Sequence, residues 1–239
     1  MTVAAGFLCK DGIIVAADTQ ESYGYPGALK SEVLKIDHSQ QSTWSIAIAG
    51  AGDSGYVQMC AQKILNSTAI TENSPCPSVH TVESIAMEIF RNYMLPLSAY
   101  PTADRPTAHM VIATQPKNGS GSVVEWNGTS FVSQFPFVFV GAGGQMGSHL
   151  AKKFGHSLWG NPVNKSAGLV IYIMDQVKAM VEGCGGDTNV IILRQDGQVR
   201  RIYPGQVKSL EEQYRRLDFG SVNSLADKIL ENMPDLESF

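Results

Sequence analysis

The sequence predicts an α+β fold of four layers, αββα, in which two antiparallel sheets stack face to face and helices cover their outer faces. Strand-like segments precede any helical pattern, a pair of helices follows, and the order repeats before two closing strands and a polar helical tail. The hairpin signals Asp11-Gly12, Asn127-Gly128 and Asp196-Gly197 fall between apolar runs, which favours antiparallel pairing. Of 239 residues, 44% are hydrophobic and 17% charged, enough apolar material for a sizeable core. A single domain spanning 1–239 is the expected organisation, with a helical C-terminal tail from about residue 207.

The first two apolar runs, Val3 to Cys9 and Ile13 to Ala17, read as a β-hairpin turning at Lys10-Asp11-Gly12. A polar, Gly- and Pro-containing stretch from Glu21 to Ala28 separates it from strands at Val33-Leu34-Lys35-Ile36 and Trp44 to Ala49. Asp53 or Ser54 is placed to cap a helix with Val57, Cys60, Ala61, Ile64 and Leu65 on one face, ending near Asn66. A second helix carries Val82, Ile85, Ala86, Ile89, Phe90 and Tyr93 until Pro96 stops it.

Strands are then expected at Met110 to Thr114, Ser122 to Trp126, Phe131 to Ser133 and Phe137 to Val140, the segments of a second sheet. Beyond Gly141, one helix carries Met146, Leu150 and Phe154. Another, capped by Ser166, carries Leu169, Val170, Ile173, Met174, Val177 and Val181. Asn189 to Leu193 and Val199 to Tyr203 complete the strands. The Gly141 to Gly147 stretch lacks the G-x-G-x-x-G spacing of a dinucleotide site, and a turn into a helix accounts for it.

Several function classes are disfavoured. A net charge of −4 and a pI near 5.7 give no basis for nucleic acid or an anionic membrane as a partner. No run is apolar and long enough to span a bilayer, and the start lacks the layout of a signal peptide, so a cytoplasmic protein is expected. The four cysteines and five histidines show no metal-ligand spacing; neither metal nor cofactor is expected, and the thiols should be reduced.

Read together, Thr2, Gly6, Lys10-Asp11-Gly12, Ala16-Ala17-Asp18, Val33-Leu34-Lys35-Ile36 and Ile48-Ala49-Gly50 resemble the first part of proteasome β-type subunits. Val140-Gly141-Ala142-Gly143 is similar to that family's V-G-S-G turn, and Cys184-Gly185-Gly186-Asp187-Thr188-Asn189 to its S-G-G-x-x-N segment. The resemblance reaches nearly the whole chain and is strongest at its start. It implies the N-terminal-nucleophile hydrolase fold and a threonine-type peptidase whose nucleophile is Thr2, with Met1 removed to free the α-amine.

A threonine hydroxyl needs a nearby base, and in such enzymes the residue's own α-amine serves, directly or through water. That amine is mostly protonated at neutral pH, with an ordinary pKa of about 7.7 to 8.0, and a neighbouring cation lowers it. By resemblance the cation is Lys35, oriented by Asp18, and the oxyanion donor is the backbone N–H of Gly50. Lys30 is the competing assignment for the lysine; the interval onward to Ala49-Gly50 favours Lys35. Ile48, with Glu21, Ser22 and Val33, is implied to border the pocket for the side chain preceding the cut.

Three positions in two segments depart from the family pattern. Ala142 replaces the serine of V-G-S-G, and Val181-Glu182-Gly183-Cys184 stands where an aspartate and a second serine are expected. Another support network, using Glu182, or a silent subunit follows from those losses. The implied partners are a peptide or unfolded-protein substrate, a homo-oligomeric ring, and an ATPase or activator. A catalytically silent ring subunit and an N-terminal-nucleophile amidase acting on a small amide are the alternative readings.

Overall fold

Apolar residues occupy nearly every position of Val3–Cys9 (β1) and Gly12–Asp18 (β2), so both faces of this hairpin are set for burial. Cys9 pairs with Gly12, which puts the turn at Lys10-Asp11, one residue before the expected step. The computed structural model describes residues 2–22, 30–32, 36–68, 75–101, 105–133, 136–215 and 228–229. Further strands are β3 (Gln20–Ser22), β4 (Lys30–Glu32), β5 (Ile36–Gln40), β6 (Trp44–Gly52), β7 (Ala108–Pro116), β8 (Ser122–Trp126), β9 (Phe131–Val132), β10 (Phe137–Gly141), β11 (Thr188–Arg194) and β12 (Val199–Ile202). The helices are α1 (Ser54–Thr68), α2 (Val79–Ile89), α3 (Gly144–Phe154), α4 (His156–Trp159), α5 (Val163–Met180) and α6 (Pro204–Arg215).

Two antiparallel five-stranded sheets form, ordered β10-β1-β2-β11-β12 and β5-β6-β7-β8-β9, beside a small β3-β4 ribbon. They do not divide along the chain as the strand order suggested. The N-terminal hairpin takes its neighbours from much later segments, β1 pairing with β10 and β2 with β11. The strands between them, with β5 and β6, build the other sheet. Apolar periodicity states that a strand is buried on two faces; it does not state which strand lies beside it.

Three apolar cores separate the four layers. Between the sheets, Ala4, Ile13, Val15 and Ala17 meet Ala47, Ala49, Ala51, Val111, Ala113 and Val123. The alanines keep this layer thin, and at Gly6 a Cβ would lie 2.6 Å from Val123 and 2.7 Å from Val111, so only glycine allows that approach. On the outer face of the first sheet, Val3, Phe7, Ile14, Phe139, Val190 and Ile192 pack on α3, α5 and α6. Trp44, Ile46, Ile48, Met110, Ile112 and Trp126 of the second sheet pack on α1 and α2.

The helix ends differ from expectation in informative ways. α5 starts at Val163, not at a Ser166 cap. Ser166 lies inside the helix, fully buried, with its hydroxyl donating to the Leu158 carbonyl at 2.5 Å. The first turn is capped instead by the distant Asp11, whose carboxylate accepts from the Val163 N–H at 2.7 Å. α2 is capped by Ser78, and beyond Ile89 it loosens into a π turn in which Leu95 N–H donates to the Phe90 carbonyl. Pro96 causes this by removing a donor and crowding the preceding turn. No helix among the described residues is long and apolar enough to cross a membrane.

Candidate active site

Thr2 immediately precedes β1, which lies between β10 and β2 in the first sheet, and it is 7% exposed. The register sets Val3 opposite Gly141, where the chain turns out of β10 towards α3. Gly141 has φ +88°, and a Cβ there would lie 2.1 Å from the Thr2 carbonyl oxygen and 2.8 Å from Ala51 Cβ. Three segments therefore converge on the Thr2 backbone: the start of β1, the turn after β10 and the end of β6. Only glycine serves at their meeting point, for both its left-handed backbone and its missing side chain.

Asp18 ends β2 and is fully buried. One carboxylate oxygen accepts from the Val3 N–H at 3.2 Å, and the other from the Gly185 N–H at 2.9 Å. The side chain thus joins the residue after Thr2 to the loop entering β11. A buried carboxylate in this position holds backbone geometry; it has no open face from which to work as a general base.

Gly50 lies in β6, opposite Met110 of β7. On the other edge, among the described residues, the β5–β6 register runs from Ile36↔Ala49 to Gln40↔Ser45. A Cβ at Gly50 would lie 2.3 Å from Val57 of α1, which explains the glycine by close helix approach. Ile48, two residues earlier on the same face of the strand, is sealed among the α1 and α2 side chains.

Lys35 and Val33 fall outside the described residues. Glu21 and Ser22 are described only as backbone, in β3, where Ser22 pairs with Lys30 of β4; their side chains, and that of Lys30, fall outside. Of the expected catalytic residues, Thr2, Asp18 and Gly50 lie among the described residues, with Asp18 joined to the residue after Thr2, and Lys35 does not. The structure also locates the departures from the resemblance. Ala142 lines the cleft beside Thr2 without a hydroxyl, Cys184 is buried in the core at 7% exposure, and Glu182 is exposed.

An open cleft of about 700 Å³ adjoins Thr2, bounded by Ala51, Gly52, Gly141 and Ala142. Its far wall carries Ser148, His149 and Lys152 of α3, with His109 of β7 and Glu125 of β8. None of these was singled out in the sequence. Their only signal there is the helical spacing of 148, 149 and 152, which reads as a solvated face. Cys9 and Cys60 offer no rival nucleophile: burial pushes Cys9 up to about 12 and Cys60 up to about 11, far from a thiolate at neutral pH. No cluster of His, Cys, Asp or Glu among the described residues could hold a metal ion.

Comparison with known proteins gives a consistent result. Residues 2–192 match a family model described as Proteasome subunit. No curated protein matches the sequence significantly. Among solved structures, Anbu (ancestral beta-subunit) from Yersinia bercovieri is similar with a TM-score of 0.72 at 14% identity, covering 98% of each chain. The Anbu (Gly-1) mutant from Hyphomicrobium sp. strain MC1 gives 0.69 at 15% identity, over 97% of this chain and 99% of that one. At such identities the likeness concerns the fold.

Proposed function

This chain belongs to the proteasome subunit family, and from that premise we propose that it is a threonine-type peptidase in which Thr2, freed of Met1, attacks a peptide carbonyl. The observation that carries the reading is the convergence of β1, β6 and β10 on Thr2 beside an open cleft, with Asp18 fixing the backbone one residue on.

The Thr2 hydroxyl gives its proton to its own α-amine, directly or through water, as its oxygen bonds to the carbonyl carbon. The oxyanion so formed accepts a hydrogen bond from the Gly50 N–H, a contribution of a few kcal/mol when preorganised. The amine of the leaving peptide takes the proton as the C–N bond breaks, and water then hydrolyses the ester. Lys35 is assigned the role of lowering the α-amine pKa, and Asp18 that of holding the nucleophile's backbone. Ile48, buried against α1, is assigned the apolar base of the pocket for the acyl group, with Glu21, Ser22 and Val33 as its further border.

A peptide-like β-lactone tests the reading. It is expected to acylate the Thr2 hydroxyl, with the modified peptide beginning at Thr2 in mass mapping. Labelling at Cys184 or Ser54 with Thr2 untouched would move the active site. No labelling at all would leave the silent-subunit reading. Peptides and small amides assayed side by side separate the peptidase from an amidase.

The family relationship also supports a closed, symmetric ring, the common solution for homo-oligomers and one that sequesters peptidase sites. Light scattering in native salt should report a multiple of the 25.8 kDa chain. A monomer at micromolar concentration would remove the ring.

A further inference from the structure

We infer that Glu211 of α6 and Lys178 of α5 are positioning residues for the Thr2 site, acting through the loop that enters β11; this rests on the peptidase reading above. The pair is buried, with side chains 9% and 8% exposed, and the Lys178 ammonium donates to Glu211 Oε1 at 2.7 Å. Burying two charges is costly, and apolar residues of similar size usually serve stability as well or better. The remaining bonds of the pair show where it acts. Lys178 also donates to the Gly186 carbonyl at 3.2 Å, and the Thr188 hydroxyl donates to the same Glu211 oxygen at 3.0 Å.

Gly186 and Thr188 flank the start of β11, and the preceding residue, Gly185, donates its N–H to Asp18 at 2.9 Å. Asp18 in turn accepts from Val3, next to Thr2. A continuous set of hydrogen bonds therefore runs from α6 through the loop to the nucleophile's neighbour. On its sheet side the loop is held by the Thr19 N–H donating to the Asp187 carbonyl at 2.9 Å and the Gln20 N–H to the Gly185 carbonyl at 3.1 Å; Gly186 has φ +71°, and Cys184 and Val181 stand where the family's serine and aspartate are expected. Lys178 and Glu211 supply from the helix layer the bracing that those side chains do not.

The neighbouring ion pair provides the contrast. Arg215 of α6 binds Asp175 of α5 through both carboxylate oxygens, joining the same two helices without touching the loop. Arg215→Met should weaken α6 docking alone.

Three variants of the full chain test the inference by turnover, melting temperature and amide hydrogen exchange at Val3 and Gly185. Glu211→Gln should lower kcat roughly 10- to 100-fold, the scale of a small misplacement at a reacting centre, with KM within about two-fold and faster exchange at both amides. Lys178→Met combined with Glu211→Leu should recover the melting temperature without recovering kcat. Arg215→Met should lower the melting temperature while kcat and both exchange rates stay at wild-type values. Recovery of kcat together with stability in the double variant would show a structural pair only and overturn the inference, as would unchanged exchange in Glu211→Gln. If wild-type protein shows no Thr2-dependent turnover, the peptidase reading fails on its own. The exchange rates then decide the coupling, faster exchange sustaining it and unchanged exchange ending it.

Discussion

Thr2→Ala should fold and melt as the wild type does yet hydrolyse peptides at least about 10³-fold more slowly, because the change removes the attacking oxygen and leaves the amine in place. Thr2→Ser keeps a hydroxyl on the same carbon and should retain measurable turnover. Lys35→Ala belongs in the same series: loss of a cation beside the α-amine should lower turnover by at least about 10²-fold, while Lys30→Ala should be nearly neutral. Steady-state kinetics, with assembly checked in parallel, reads all four. Undiminished hydrolysis by Thr2→Ala would end the N-terminal mechanism. An inactive Lys30→Ala beside a normal Lys35→Ala would exchange the two lysines' roles.

Gly141→Ala is expected to damage both stability and activity. The added methyl would stand 2.1 Å from the Thr2 carbonyl oxygen at a residue with φ +88°, so the backbone under the nucleophile must move. Strain of about 1 to 3 kcal/mol from the backbone and a comparable amount from overpacking suggest a total of about 3 kcal/mol or more. A displaced Thr2 should also cost on the order of 10² in turnover. Gly55→Ala supplies the comparison. Nothing lies within 4 Å of a Cβ at that exposed helical site, so the same change should stabilise by about 0.4 to 1 kcal/mol. Denaturant midpoints and kinetics on both proteins check the contrast; a harmless Gly141→Ala would mean that the convergence at Thr2 is not needed.

Local chemistry made much of this architecture legible. Strands with apolar residues at successive positions, as in Ile13 to Ala17, could only be buried on both faces, and helices such as Val82 to Ile89 announced one apolar face. Thr2, Asp18 and Gly50 stood out because each sits in a short motif whose members are near in sequence. The cap of α5 was misread for the complementary reason. Ser166 has the right residue type, but Asp11, folded back from the first hairpin, reaches the helix end first.

The cleft-lining His109, Glu125, His149 and Lys152 were illegible for the same cause, since each is an ordinary polar residue until other strands and helices are set beside it. The buried Lys178–Glu211 pair is the sharpest case. On α5 and α6 taken separately, both residues belong to polar positions that would normally be solvated, and only docking of the helices puts them together against Gly186 and Thr188.

Periodicity and turn chemistry, which depend on neighbours along the chain, specified most of the strands and helices and the faces they bury, but not the β3–β4 ribbon, the extent of β5 to Gln40, or α4. Pairing partners were decided by the folded state: β1 lies between β2 and β10, and β2 between β1 and β11, because two-sided apolar strands lower their free energy wherever both faces and both edges are satisfied together. The setting of Thr2 follows from those pairings. Its carbonyl is approached by Gly141 and its neighbour is held by Asp18, contacts between residues far apart in sequence that no local pattern encodes.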